Sequence, residues 1–458
     1  MHSGARSRCT SGPARRGPGA LGCADAEDRP VSAVLLSTLA GLGAAEHAVP
    51  LAEALRSRGH RVAVVSSAAG VEAYRRHGFA VHVVPEPPMP AQLPALPPVA
   101  RRAWQLYTRV QRNIIDPVPE QWAVVERVIA EERIDAVVTD GLFVGAAMLA
   151  ARPSGERPPV IMLGFSAPWI PDPLVPPYGM GFAPGDDGAD RLRAGTFELL
   201  ASRAMARLSR SFNAQIESTF QVRVHGDLRS TPALGDAWAQ LTVPRFEYPR
   251  RALPTNFRFV GPLHPQEDPV LPEWWDPRTE PPVIAVRAGS GSEVGGLVDP
   301  TIRAFGDSDS TVIVVGAARA AVAAAQDGPL PANVHFEDRM PWSRLVPRRT
   351  VVVSDGDYLH TQHALRRGIP LVVAGTLETD VETAARVAWT GAGIDLRTGT
   401  PSAAVLRTAV DRVRGDEGFR VAAARIAAQI AGTDAESAIC DLVEHTVARW
   451  PEEAPAER

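Results

Sequence analysis

Apolar residues in this chain form short runs that alternate with amphipathic segments, first over residues 31–165 and again over residues 283–450. The runs, such as VSAVLLS from Val31 and TVVV from Thr350, are bounded by glycine, proline and polar residues, as is typical of buried parallel strands. The segments between them carry apolar residues at helical spacing. This repeated alternation predicts an α/β fold with two doubly wound, Rossmann-like domains.

Changes in composition divide the chain into five segments. Residues 1–30 are rich in Arg, Gly, Pro, Ser and Ala and lack hydrophobic periodicity, which predicts a disordered tail. The alternating pattern then predicts an N-terminal domain over residues 31–245, a linker over 246–265 and a C-terminal domain over 266–432. A last helical pattern falls within residues 433–458.

Composition excludes several classes of protein. The 458 residues carry a formal net charge of −4, which gives no sign of a nucleic-acid or anionic-membrane partner. No uninterrupted apolar run reaches the roughly 18–20 residues of a membrane span. Cys9, Cys23 and Cys440 lie far apart without metal-ligand spacing, so we expect a cytoplasmic protein without a metal site.

The unit from Thr350 to Asp380 predicts a strand, a polar turn, a helix and a second strand. Its turn lies at the carboxyl end of a strand, where open α/β sheets bind ligands and helix N–H groups face anions. This unit, with the order EYPR…L-P…FVGPL in Leu241–Pro265, resembles the GT-B glycosyltransferases of the bacterial natural-product and glycolipid branch. The resemblance spans about residues 31–450. It implies an N-terminal acceptor domain, a C-terminal UDP- or TDP-sugar domain, and a final helix that packs back on the first domain.

The resemblance places a catalytic base at His47, in the loop predicted after the first strand. The sequence EHAVP matches the family's Gly-His-x-x-Pro element, whose His deprotonates the acceptor hydroxyl, although Glu46 replaces the Gly. Histidine suits this task because its pKa lies near working pH. Such a base needs an orienting carboxylate, and Asp140, at the end of AVVTD, matches the family's Asp partner. The alternatives are a loop His without a role and a carboxylate that caps a helix.

The resemblance also implies a donor site in the second domain. Gly289 and Ser290 match the family's phosphate-contacting Gly-Ser pair, and Arg339 stands where an aromatic side chain usually stacks on the base. A guanidinium plane can also stack. Thr379 and Asp380 stand where the family has an acidic residue followed by Gln near the donor sugar, and an Asp can still accept sugar hydroxyls.

The predicted phosphate loop departs from the family pattern. It keeps Gly356 and Thr361, but Asp355 replaces a His or Asn, Asp357 and Leu359 replace glycines, and His360 and His363 replace small or amide residues. One carboxylate about 4 Å from a phosphate charge costs on the order of 4 kcal/mol at an effective dielectric near 20. A micromolar complex has only about 8 kcal/mol of binding free energy. The two carboxylates are therefore expected to abolish ordinary donor binding unless they point away or a cation neutralises them.

Two proline-rich stretches, residues 86–99 and 166–188, interrupt the N-terminal domain. Prolines keep such segments extended, and long connections are often functional. The two interpretations are an acceptor pocket with mobile apolar walls and ordinary loop packing. The pocket interpretation assigns acceptor binding to four side chains of the second stretch: Trp169, Tyr178, Met180 and Phe182.

Three functional hypotheses follow. The first is an inverting glycosyltransferase that uses a nucleotide-sugar as co-substrate, needs no other cofactor or metal, acts on a small hydrophobic acceptor and forms a possible homodimer. The second is a relative on the same fold that has lost donor binding and performs other acid/base chemistry on the acceptor. The third is a non-catalytic auxiliary protein. The presence of His47 opposes the third hypothesis, and the altered phosphate loop opposes the first.

Overall fold

The structure is a computed structural model of the full chain. It describes the following residues: 31–39, 44–85, 107–185, 188–224, 228–263, 274, 281–287, 296–325, 328–337, 339, 342, 345, 349–376 and 378–451. Three sequence predictions lie outside these residues: the disordered tail at 1–30, the proline-rich stretch at 86–99 and the phosphate contacts of Gly289 and Ser290.

The first sheet has seven parallel strands in the order β3-β2-β1-β4-β5-β6-β7. Its strands are β1 (Ala33–Thr38), β2 (Arg61–Ser67), β3 (Val81–Val84), β4 (Ala136–Asp140), β5 (Val160–Gly164), β6 (Ala237–Gln240) and β7 (Phe257–Phe259). All residues of β1 and β4 are buried, which is expected when helices cover both faces of a parallel sheet.

The second sheet has six parallel strands in the order β10-β9-β8-β11-β12-β13. Its strands are β8 (Val283–Arg287), β9 (Thr311–Val315), β10 (Val334–Glu337), β11 (Thr350–Ser354), β12 (Leu371–Val373) and β13 (Gly393–Asp395). The strand order reverses at β1/β4 in one sheet and at β8/β11 in the other. Ligands of doubly wound sheets bind at such reversals, beyond the carboxyl ends of the strands.

Helices cover the two sheets. In the described residues the α-helices are α1 (Ala44–Ser57), α2 (Val71–Arg75), α3 (Val118–Glu132), α4 (Val144–Ala147), α5 (Gly188–Phe220), α6 (Val298–Phe305), α7 (Arg319–Ala324), α8 (Tyr358–Arg366), α9 (Glu378–Trp389), α10 (Ala403–Gly415), α11 (Glu417–Ile430) and α12 (Ala435–Ala448). Shorter 3-10 turns span Ala68–Gly70, Met148–Ala151, Ser154–Glu156, Leu228–Leu234 and Pro244–Phe246, and a π-turn spans Gln111–Ile115. Within the described ranges no helix is both long and apolar enough to cross a membrane.

The prediction of two doubly wound α/β domains is confirmed, but the first sheet extends past residue 245. Strand β7 lies inside the segment predicted as a linker, and it pairs with β6 at the edge of the sheet. Phe257 alternates with exposed Arg258, and its ring packs 4.9 Å from that of Trp238. The run FRF therefore belongs to the N-terminal sheet and its core, whereas the sequence predicted a linker at this position.

The last helix of the described residues packs against the first domain. Helix α12 contacts α1 and the strands β4 and β6 of the first domain. Arg58, just after α1, donates to Asp441 at 2.5 Å and to Glu444 at 3.2 Å. Glu444 also lies 3.3 Å from the buried ring of His60. These contacts fix the C-terminus against the N-terminal sheet.

Candidate active site

His47 lies in the first turns of α1, so its predicted place in a loop is wrong. The helix begins at Ala44 because Ala44, Ala45 and Ala48 favour helix. Pro50, inside the helix, has no N–H and cannot bond to the carbonyl of Glu46, which loosens the turn that carries His47. The His47 side chain is only 1% exposed, and α1 follows β1 at the carboxyl edge of the first sheet.

Asp140 is the last residue of β4, the strand that pairs with β1 at the reversal of strand order. Its Oδ1 accepts a hydrogen bond from the Leu142 N–H at 2.9 Å, so the carboxylate closes the turn that leads to α4. Its Oδ2 makes no hydrogen bond with any residue that the structure describes. Asp140 therefore has the capping role. Its Oδ2 accepts no direct hydrogen bond from His47.

Burial controls the charge of Asp140. The side chain is 2% exposed. Desolvation raises the pKa of Asp140 to about 6 from an ordinary value of 3.8, against the opposing hydrogen bonds from the Leu142 and Leu39 backbones. A carboxylate that ionises near neutral pH is typical of functional sites, because folding alone would favour a neutral residue at this position.

The phosphate loop of the second domain is built around Asp357, the N-cap of α8. Its Oδ1 accepts the backbone N–H of His360 at 2.9 Å and lies 2.8 Å from the His360 Nδ1. Its Oδ2 lies 3.9 Å from a guanidinium nitrogen of Arg287, at the end of β8. Burial disfavours the charged form, but the charges of His360 and Arg287 and the hydrogen bonds from His360 hold the pKa of Asp357 well below its usual range. Asp357 is thus an ionised carboxylate that is paired with His360 and Arg287, and the effect of the two loop carboxylates on diphosphate binding stays a prediction.

The turn before Asp357 packs closely on the start of α9. Asp355 accepts the N–H of Asp357 at 3.2 Å, and Ser354 Oγ accepts the N–H of Gly356 at 3.0 Å. Gly356 has φ +98°, and a Cβ there would lie 2.7 Å from the carbonyl oxygen of Asp380. Glycine is therefore required at position 356 by both the backbone conformation and the close contact.

The remaining donor-site candidates fall in different environments. Thr361 is fully buried within α8, and His363 is buried with its ring stacked 4.8 Å from that of Trp342. Leu359 also lies in the core. Thr379 donates to Asp380 at 3.2 Å in the first turn of α9, whereas Arg339 is exposed. Of the two histidines, His360 alone keeps a partly exposed side chain.

His360 and His47 meet across the two domains. Their ring centroids are 5.5 Å apart, and the rings are nearly perpendicular, at 77°. The domains are fixed nearby by a hydrogen bond of 2.8 Å from the Gln362 side chain on α8 to the Leu241 carbonyl after β6. The structure therefore brings the predicted base of the first domain against the predicted phosphate loop of the second.

A cleft opens beside Asp140 at the carboxyl ends of β4, β5 and β6. Its apolar lining includes Leu142, Phe165 and Trp169. Three residues that line the cleft each have a buried polar atom that makes no hydrogen bond within the described part of the chain: Asp140 Oδ2, Trp238 Nε1 and Gln240 Oε1. Sequence reasoning missed Trp238 and Gln240, although a Trp and a Gln near the end of a buried strand were a usable signal.

The loop expected to carry acceptor contacts packs partly on the second domain. The Tyr178 ring lies 4.5 Å from that of Trp169, and both line a second small cleft. Glu382 on α9 accepts the N–H groups of Gly179 at 2.9 Å and Gly181 at 3.1 Å. Met180 and Phe182, in contrast, are 37% and 41% exposed. Trp169 lies at the cleft beside Asp140, whereas the acceptor roles of Tyr178, Met180 and Phe182 stay predictions.

The sequence of the chain is similar to those of several known proteins. A family model described as "Erythromycin biosynthesis protein CIII-like, C-terminal domain" matches residues 300–445. The chain is 30% identical over 425 residues to the 4'-demethylrebeccamycin synthase of Lentzea aerocolonigenes, which covers 90% of this chain and 99% of that protein. It is also 30% identical over 384 residues to UDP-glycosyltransferase 2 of Phaeomoniella chlamydospora, covering 79% of this chain and 81% of that protein.

The fold has solved counterparts. The crystal structure of the kitacinnamycin glycotransferase superposes with a TM-score of 0.67 at 20% identity and covers 91% of this chain and 99% of that one. Two facing Rossmann-like domains are the arrangement of the GT-B glycosyltransferase fold. The identities above, over nearly the full length of a relative, show that the chain belongs to this family, in the branch that includes enzymes of natural-product biosynthesis.

The raised pKa of Asp140 predicts a pH-dependent effect of the substitution Asp140→Asn. The wild-type carboxyl loses stability as pH rises from 3.8 through about 6, since the folded state then holds an unfavourable buried charge. Asparagine keeps the acceptor for the Leu142 N–H but carries no charge. We expect the free energy of unfolding to rise by about 2–3 kcal/mol at pH 7 and to be almost unchanged at pH 4. Denaturant unfolding at the two pH values measures this difference.

The same variant is expected to transfer sugar more slowly at pH 7, because stabilising substitutions at functional sites commonly reduce activity. Asp135→Asn is the matched control: its carboxylate accepts the Ala33 N–H at 2.7 Å at the opposite end of the sheet. A gain in stability at pH 4 equal to that at pH 7 would contradict a charge effect at Asp140.

Proposed function

We propose that this protein is an inverting glycosyltransferase that moves a hexose or deoxyhexose from a UDP- or TDP-sugar to a hydroxyl of a small hydrophobic acceptor. The observation that carries the proposal is the approach of the His47 ring to the His360 ring, 5.5 Å apart across the two domains. A base on the acceptor side and a helix N-terminus on the donor side are the two parts that such a transfer requires.

The reaction is a single in-line displacement. His47 takes the proton of the acceptor hydroxyl as the oxygen attacks the anomeric carbon. The bond from that carbon to the diphosphate breaks on the opposite face, and the diphosphate leaves towards the first turn of α8. Asp140, at the same sheet edge as α1, supplies negative charge that favours the protonated His47. One displacement inverts the anomeric configuration.

The cleft beside Asp140 supports a hydrophobic acceptor that carries oxygen. Leu142, Phe165 and Trp169 supply apolar contacts. The indole N–H of Trp238 can donate a hydrogen bond, and the amide oxygen of Gln240 can accept one. Sites of this composition bind small molecules through apolar walls and use a few polar groups for orientation. An oxygenated aromatic or polycyclic compound fits this combination.

The donor assignment rests on the phosphate loop. The pairing of Asp357 with His360 and Arg287 removes the main argument for a relative that has lost its donor. The name of the Phaeomoniella relative supports a UDP-sugar. We propose no metal and no cofactor besides the nucleotide-sugar, while a cytoplasmic location and a homodimer stay predictions.

The proposal is tested with UDP-α-glucose and TDP-α-glucose as donors and a panel of hydroxylated anthraquinones and flavonols as acceptors. Mass spectrometry detects a hexosyl adduct, and proton NMR coupling at the anomeric position gives its configuration. A β-linked product is the expected result. An α-linked product would overturn the inverting mechanism, and transfer only to highly polar acceptors would overturn the hydrophobic acceptor.

Replacement of Trp169 tests the acceptor cleft. Trp169→Ala is expected to raise the acceptor KM by roughly 30-fold or more, because removal of a buried aromatic contact costs about 2–4 kcal/mol. Trp169→Phe keeps an aromatic ring and is the matched control, so it should retain most of the affinity. Initial rates with one anthraquinone acceptor measure both variants. An unchanged KM in a folded Trp169→Ala variant would contradict the acceptor pocket and favour the interpretation of residues 166–188 as ordinary loop packing.

A further inference from the structure

His360 and Asp357 form a paired imidazole and carboxylate at the start of α8. The Asp357 Oδ1 lies 2.8 Å from the His360 Nδ1 and accepts the His360 backbone N–H at 2.9 Å. Two contacts to one oxygen fix the ring relative to the helix. A carboxylate on one ring nitrogen orients an imidazole and directs its other nitrogen, Nε2, away from the pair.

The charges around this pair keep the carboxylate ionised. Burial opposes ionisation, but the charges of His360 and Arg287 outweigh it, so the pKa of Asp357 lies well below its usual range. An ionised Asp357 can accept a hydrogen bond from the Nδ1–H of His360. Arg287 adds a second positive charge 3.9 Å from the carboxylate, and its NH1 makes no hydrogen bond with a described residue.

The position of His360 gives this pair a chemical role. Its side chain is 27% exposed in the first turn of α8, where backbone N–H groups and the helix dipole favour a bound anion. The His47 ring lies against the His360 ring, at 5.5 Å. A sugar attacked by an oxygen that His47 deprotonates would therefore lie with its departing diphosphate near His360.

We propose that His360 is a second catalytic residue, which donates a hydrogen bond from its protonated Nε2 to the departing diphosphate, and that Asp357 is the positioning residue that holds it. This inference rests on the proposed function. It also gives a physical reason for an Asp in the phosphate loop, because the carboxylate holds the His360 ring in place.

The charges balance in this step. The acceptor oxygen forms a bond to the anomeric carbon and loses its proton to His47. The bond between that carbon and the β-phosphate oxygen breaks, and its electron pair stays on the diphosphate. The Nε2–H of His360 stabilises the negative charge that develops on this oxygen, as fixed donors do for oxyanions in other active sites.

The test compares kcat, KM and donor binding in His360→Ala, Asp357→Asn and wild type, using UDP-glucose, TDP-glucose and one anthraquinone acceptor. For His360→Ala we expect kcat to fall by about 10²–10³-fold, the usual effect of removing one such donor, while calorimetric affinity for UDP and TDP changes far less. Asp357→Asn keeps an oxygen that can cap α8 but loses the charge that pairs with His360 and Arg287, so we expect a lower melting temperature. Well below that temperature, where the variant is folded, we expect kcat to be lowered by about tenfold or more and KM to change far less.

A matched control is His77→Ala. His77 also forms a pair with a carboxylate, since its Nδ1 lies 2.9 Å from Glu53, but it lies in the N-terminal domain after α2. Its kcat should stay within about twofold of wild type. A His360→Ala variant that keeps its kcat, or that changes only KM, would overturn the inference and leave the proposed transfer intact. Absence of transfer by the wild type would remove both.

Discussion

Replacement of Arg386 by leucine is expected to lower the free energy of unfolding by about 3–5 kcal/mol, the usual result of removing one partner from a buried ion pair. The guanidinium is buried between two carboxylates. It donates to the two oxygens of Glu247 at 2.8 and 2.9 Å and to Glu382 at 2.8 Å. Burial disfavours its charge, but these carboxylates hold the pKa of Arg386 well above its ordinary value. Without Arg386, the buried Glu382 would lose its ion-pair partner, and Glu247 would keep only Arg250, at 3.3 Å, among its described ion-pair partners.

The effect should reach the candidate site, because Glu382 also accepts the Gly179 and Gly181 N–H groups. Arg420→Leu is the matched control: its ion pair with Glu417, at 3.1 Å, lies at the surface and is worth at most about 1 kcal/mol. Denaturant unfolding measures both variants. A loss in Arg386→Leu no larger than in the control would show that the buried network does not stabilise the domain arrangement.

Replacement of His47 by alanine is expected to lower turnover by at least about a hundredfold, the typical contribution of a general base. Donor affinity should barely change, because His47 belongs to the first domain and the phosphate loop to the second. His82→Ala is the control. The His82 Nε2 on β3 lies 2.8 Å from Glu132 at the end of α3. Removal of the His82 side chain should leave turnover within about twofold of wild type.

Initial rates and calorimetry on the same preparations separate the two effects. A His47→Ala variant that keeps near-normal turnover would remove His47 from the mechanism. A variant that loses donor affinity together with turnover would indicate that His47 organises the phosphate loop through His360 instead of acting as a base.

The fold could be predicted from the sequence because strands covered on both faces become continuous apolar runs. The run from Ala33 to Leu36 is buried on both sides of the first sheet, as is Val351–Val353 in the second. Strand β7 was missed for the opposite reason. It is three residues long, lies at a sheet edge and has one exposed arginine between two phenylalanines. Three residues are too few for a strand to be recognised from alternation.

The charges of the site could not be derived from local sequence. The sequence shows Asp355 and Asp357 in a phosphate loop, but it does not show that Arg287, from another strand, lies 3.9 Å from Asp357. Nor does it show that Asp357 turns towards His360 in its own helix. The segment around His47 was predicted as a loop that enters a helix, whereas α1 begins at Ala44 and contains Pro50, a residue that sequence rules place outside helix interiors.

Titration calorimetry of the full-length protein with UDP and with TDP tests the central claim most directly. The claim is that the second domain holds a nucleotide diphosphate opposite His47 despite its two loop carboxylates. Because Asp357 is paired with His360 and Arg287, we expect at least one of the two nucleotides to bind with a Kd of about 1–100 μM, a binding free energy of roughly 5–8 kcal/mol. Absence of binding by both nucleotides at millimolar concentration, in a folded protein, would contradict it.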